Sequence, residues 1–73
     1  LMGLVAVREG ALYHVVDFDM IVRAVRVDND KEEVHVEQVD GEFENTLDMR
    51  EFEDRMADDK VVLKESEDEE EPP

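Results

Sequence analysis

The dipeptide Asp40-Gly41 constrains this chain more than any other feature. It separates the run Val34–Val39 from a segment carrying Phe43 and Leu47. Asp-Gly between apolar runs marks a two-residue type I′ hairpin turn, because both turn residues must take positive φ. Upstream of it, Val34 and Val36 alternate with His35 and Glu37, the period of a strand with one buried and one wet face. Val39 falls out of phase, which predicts a bulge near Gln38. Downstream, Phe43, with Leu47, is expected to point inward, and Glu42 and Glu44 outward.

The rest of the chain extends this β reading. Met20–Val27 reads as a strand with a mixed pattern: Arg23, Val25 and Val27 on one face, Val22, Ala24 and Arg26 on the other. A strand buried on one face at one end and on the other face further along suits a sharply bent sheet or small barrel. Asp28-Asn29-Asp30-Lys31-Glu32 is turn chemistry, since Asn and Asp bond to the local backbone and tolerate the left-handed region. Before it, Glu9-Gly10 reads as a turn between short extended segments, Leu4–Arg8 and Ala11–Phe18. A single helix over Leu4–Val16 is the alternative, against which Gly10 in its middle counts about 1 kcal/mol.

The period changes at Leu47–Met56, which predicts a short helix. Asp48 is a good N-cap, and Glu51 three residues on completes a capping-box spacing. Leu47 before the cap and Phe52 at the fourth helical position make the hydrophobic-staple pair. Met49, Phe52 and Met56 fall on one face. Asp58-Asp59 ends the helix, and Val61–Leu63 makes a last strand. The fold class is therefore mainly β, a β-rich α+β domain over residues 1–64. It is a small SH3-like barrel or a strongly bent antiparallel sheet with one short helix near the C-terminus. Residues 65–73 hold six acids and no base and are expected to be a disordered acidic tail.

Charge sets the second constraint. The 73 residues carry 23 acids against 8 bases, a net charge of −15. The tail explains only part of it, because residues 1–64 retain a net charge of −9. Within that stretch Arg outnumbers Lys five to three, 12 Val stand beside one Ile, and acids are interspersed. Such choices fit a very salty cytoplasm, where a Debye length of roughly 3 Å screens self-repulsion. Mimicry of nucleic acid, or a strongly basic partner, is the competing reading. Absence of Cys excludes disulfides and Cys-based zinc sites. No apolar run approaches the roughly 18 residues of a membrane span, and no basic region precedes the opening apolar stretch, so neither membrane insertion nor a signal peptide is expected.

The stretch Val34-x-Val36, Asp40-Gly41-Glu42-Phe43, Leu47-x-Met49-x-x-Phe52 resembles the SH3-like and Tudor-like small barrels, over residues 20–63. Tudor domains that read methylated residues use an aromatic cage. With only Tyr13, Phe18, Phe43 and Phe52 available, and at least two of these committed to the core, the cage is not carried over. In composition the chain also resembles small acidic proteins of halophilic archaea, which implies a cytoplasmic location and no particular activity.

Candidate chemistry is sparse. His14, Asp17 and Asp19 are close in sequence, but strand alternation would put His14 on the face opposite the two carboxylates. Asp28-x-Asp30-x-Glu32 lacks the Gly and distal Glu of a calcium loop; those places hold Glu33 and Val39. His14 and His35 are the residues that normally titrate near neutrality. Ser66 lies in the acidic tail, and three glycines make no phosphate loop. A barrel this small is also expected to lack room for a pocket of a few hundred cubic ångströms. No catalytic, cofactor or metal site is therefore expected, and the chain reads as a non-enzymatic protein-interaction module. Arg23, Arg26, Met49 and Met56 are its candidate interaction surface: the arginines as positive charge along one hairpin, the methionines as adaptable contacts. A nucleic-acid-associated accessory protein, or an acidic mimic, is the alternative. The apolar Leu4–Val7 segment has no obvious place in a five-strand barrel, and pairing it with a second copy would bury it, so a homodimer is expected.

Overall fold

A computed structural model describes residues 6–64. Five strands form one antiparallel sheet: β1 (Leu12–Val15), β2 (Met20–Asp28), β3 (Glu33–Gln38), β4 (Glu44–Asp48) and β5 (Val61–Lys64). One helix, α1 (Met49–Ala57), lies between β4 and β5 in the chain. The strand order is β4-β3-β2-β1-β5, so β4 and β5 are the two edges and α1 carries the chain from one to the other. The mainly β class with a single short C-terminal helix is what the periodicity called for. The disorder expected of residues 65–73 falls outside the described residues, as do Leu4 and Val5.

The bend of β2 has a local cause. Its pairing with β3 runs Ala24 to Val36 and then Arg26 to His35, with the register shift at Val25. The extra residue resets the alternation, so Val22, Ala24 and Val27 all face the core while Arg23 and Arg26 face away. The bulge thus sits in β2 and not near Gln38, and Val27 shares its face with Val22. The apparent swap of faces in the sequence is one bulge. Beyond the bulge, the Glu9-Gly10 turn clamps β2: Val27 N–H donates to Glu9 Oε1 at 2.9 Å, and Gly10 N–H donates to the Ala24 carbonyl at 2.7 Å. Gly10 has φ +89°, a conformation that suits glycine.

The 40–41 turn is right in centre and wrong in type. Glu37 faces Glu44, His35 faces Thr46 and Val34 faces Leu47, the register that a turn centred on Asp40-Gly41 dictates. The strands end at Gln38 and Glu44, however, and the loop closes through Gln38 N–H to the Phe43 carbonyl at 2.8 Å. Neither Asp40 nor Gly41 has positive φ, so the turn is not type I′. A Cβ at Gly41 would meet only the end of the Gln38 side chain, which can swing aside, so neither φ nor packing demands glycine there. The Asp28 turn behaves as its composition demands, with the carboxylate accepting from Asp30 N–H and Lys31 N–H at 3.1 Å each.

The core lies between the sheet and α1. Tyr13, Val22, Ala24, Val34, Val36, Phe52 and Val61 are buried, and Val7, Leu47, Met49 and Met56 pack against them. Phe52, 2% exposed, meets Tyr13 edge to face at a centroid distance of 5.3 Å. The Tyr13 hydroxyl, inside the core, accepts from Arg8 N–H at 2.9 Å and ties the opening segment down. Asp48 caps α1 by accepting from Glu51 N–H at 3.2 Å. At the far end, Lys60 N–H reaches the Arg55 carbonyl and Asp59 N–H the Met56 carbonyl, a Schellman closure. Its left-handed position is filled by Asp59, φ 62°, where glycine is the usual occupant.

Candidate functional site

Helix length decides where the sheet stays uncovered. At about 1.5 Å per residue the nine residues of α1 span about 13 Å, whereas the nine extended residues of β2 span about 30 Å. The helix is held at one end of the sheet: Met49 N–H donates to the Glu32 carbonyl at 2.9 Å, and Phe52 anchors its middle. The other end of the inner face remains an open groove of about 470 Å³. That volume overturns the expectation that so small a fold has no room for a pocket. No ladder joins β4 to β5 among the described residues, so the sheet does not close over its own interior there.

The groove is built from alternate residues of the strands. Val22 and Val36 form its floor, with Val15, Met20 and Val61 beside them and Phe52 closing the helix end. The rim holds two aromatics. Phe18 is 71% exposed and Phe43 is 42% exposed. Phe18 stands out because the chain leaves β1 early: Val16–Phe18 is a 3₁₀ turn, and Asp19 follows in the left-handed conformation with φ 51°. The strand expected through Phe18 therefore stops at Val15. Phe43, expected to point inward, does line the groove from the loop-to-β4 junction, while staying partly in solvent. Both rim aromatics are bracketed by acids, Asp17 and Asp19 around Phe18, Glu42 and Glu44 around Phe43. Asp48, Glu51 and Arg55 complete the helix side, where Glu51 and Arg55 pair at 3.5 Å.

The residues expected to form an interaction surface are not brought together. Arg23 and Arg26 project from the outer face of β2, away from the groove, and the Arg23 guanidinium donates to the Gly10 carbonyl at 3.0 Å. Met49 and Met56 are half-buried and pack against the core. His14 and Asp19 do meet, at 2.9 Å, because the 3₁₀ turn cancels the strand alternation that would have separated them. On the outer face of β3 and β4, His35 Nε2 lies 3.0 Å from Glu44 Oε1 and 3.8 Å from Glu37 Oε2. His35 Nδ1 is 2.9 Å from Thr46 Oγ1.

The groove has the size of small-ligand sites, roughly 300–1,000 Å³, and their mostly apolar lining. Among the described residues its polar lining is Asn45, Asp48, Glu51 and Arg55. The Asp48 carboxylate is engaged as the helix cap, Glu51 is paired, and both histidines lie on the opposite face of the sheet. Among the described residues no helix is long and apolar enough to cross a membrane. No protein-family model, curated protein or solved structure matches the chain.

Proposed function

We propose that the chain is a non-enzymatic interaction module whose groove receives an apolar segment of a partner protein carrying Lys or Arg on its flanks. The observation that carries this reading is the groove itself, about 470 Å³ with the exposed Phe18 ring at its mouth. A large apolar side chain left in water beside an open apolar trough gains roughly 1.5–3 kcal/mol when a partner covers it. The acid pairs around Phe18 and Phe43 supply the preference for basic flanks. In a salt-rich cytoplasm, which the composition favours as the habitat, long-range attraction is screened. Affinity then rests on the apolar contact, and the carboxylates act only at hydrogen-bond range. An SH3-like relationship would be consistent with this use of an open sheet face.

The test uses a fluorescent peptide with a Phe-Leu centre and Lys at each end, titrated against the full chain in molar KCl. Saturable binding that falls at least tenfold in both Phe18→Ser and Phe43→Ser supports the reading. Absence of binding overturns it. So does a dimer, seen by sedimentation, that dissociates in Phe18→Ser, because the occupant is then a second copy. Tight binding of a single-stranded oligonucleotide that is lost in Arg26→Ala and kept in Phe18→Ser would instead favour the nucleic-acid role.

A further inference from the structure

We propose that His35, Glu37 and Glu44 form a binding site for one borderline divalent cation of the zinc class, on the outer face of the sheet. The site is independent of the groove and of the reading built on it.

The register makes the cluster. His35 and Glu37 are two residues apart on β3 and so share its outer face. Glu44 is the direct partner of Glu37 on β4, which places its carboxylate diagonal to His35. One ligand atom from each of the three lies within 4.8 Å of the others. Ligands at 2.0–2.1 Å around a tetrahedral zinc are about 3.3 Å from one another. The observed separations of 3.0 and 3.8 Å from His35 Nε2 to the two carboxylates bracket that value. Both glutamate side chains are exposed, so rotation about their own bonds can close the remaining spread.

Two further features point the same way. His35 Nδ1 is held by the Thr46 hydroxyl at 2.9 Å. Thr46 is the direct partner of His35 on β4 and is not itself a ligand. Without a cation, Nε2–H donates to the Glu44 carboxylate at 3.0 Å and the Thr46 hydroxyl can donate to Nδ1. With a cation on Nε2 the ring proton would sit on Nδ1, where the same hydroxyl can accept it, the outer-shell arrangement typical of metal-bound histidine. The second feature is a cost. Glu37 and Glu44 are like charges directly opposite on adjacent strands, an arrangement that destabilises a sheet. Arg23 and Arg26 are the cross-strand neighbours of Glu37 and His35 on β2. No ion pair within 4 Å joins either arginine to Glu37 or Glu44 among the described residues. A cation between the carboxylates would remove the repulsion and bolt the edge strand β4 to β3. An imidazole with two carboxylates suits zinc, nickel or cobalt better than magnesium, which prefers an all-oxygen octahedron. Water would complete the coordination.

The experiment is a calorimetric titration of the full chain with zinc at a KCl concentration where circular dichroism shows it folded. The expected result is one equivalent bound. Affinity should fall at least tenfold in His35→Gln and in Glu44→Gln, and about tenfold in Thr46→Val, and should be unchanged in Glu42→Gln, an acid of the same loop outside the cluster. In the wild-type chain, zinc should shift the ring nitrogen resonances of His35 and leave those of His14 in place, a readout that does not depend on any variant folding. Several equivalents bound with no effect of His35→Gln, equal affinity for magnesium, or unmoved His35 resonances would each overturn the site.

Discussion

Deleting Val25 should leave this protein folded, although it removes a residue from the middle of its longest strand. In a regular strand a one-residue deletion turns every later side chain to the opposite face. Here Val25 is the surplus residue of the bulge. Without it, Ala24 still pairs with Val36, Arg26 with His35 and Val27 with Val34, and Val22, Ala24 and Val27 keep the core face. The loss is the partial burial of Val25 and some local twist, together about 1–2 kcal/mol. Deletion of His35 is the matched control. It turns Val36 outward, losing about 1.5–3 kcal/mol of burial, and turns Glu37 inward, where an unpaired carboxylate costs several kcal/mol more. That sum rivals the whole stability expected of a domain of roughly 60 residues, about 3–9 kcal/mol. Urea unfolding in molar KCl, followed by circular dichroism, reads both. The Val25 deletion should show a cooperative transition at a modestly lower midpoint, and the His35 deletion should show none. Equal damage from the two deletions would refute the account of how β2 is bent.

Other expectations follow from single residues. Asp59→Gly should stabilise the domain by about 0.5–1 kcal/mol, since the left-handed position at the end of α1 strains any residue with a Cβ, partly offset by the greater freedom of glycine in the unfolded chain; the urea midpoint checks it. Tyr13→Phe should cost about 1–2 kcal/mol, because the Arg8 N–H loses its acceptor, and amide exchange at Arg8 should quicken. Phe18→Ser should change stability by less than about 0.5 kcal/mol, the value typical of exposed positions, so any effect on peptide binding reports the groove and not the fold. The melting temperature should climb as KCl rises from 0.1 to 2 M, because screening relieves a net charge of −15; a flat profile would count against salt adaptation.

Much of this fold was legible because local signals agreed. Asp48, Glu51, Leu47 and Phe52 each specified the start of α1, and the alternation of Val34 and Val36 specified the buried face of β3. Asp40-Gly41 specified the register even though the turn itself opened, since its centre and not its type sets which residues face each other. That register already placed Glu44 opposite Glu37, so the His35 cluster could have been read from the sequence by pairing outer-face residues across the turn. The groove could not. It depends on the length of α1 relative to β2 and on the exit of the chain into a 3₁₀ turn at Val16. Phe18 sits in what reads as continuous strand, and nothing local distinguishes an aromatic that joins the core from one that stands at its edge. The bulge at Val25 was visible only as a pattern that changed face. Arg23 and Arg26 are neighbouring cations in the sequence, but their side of the sheet follows from that bulge.

The central claim is that the uncovered inner face beside α1 is where a partner binds. Methyl-selective NMR of the full chain, titrated in molar KCl with the Phe-Leu peptide flanked by Lys, tests it most directly. The account predicts saturable shifts in the Val15, Val22, Val36 and Val61 methyls and in the rings of Phe18 and Phe43, with the Leu12 methyls on the outer face unmoved. Shifts confined to the outer face, or no shifts at peptide concentrations well above millimolar, would contradict it.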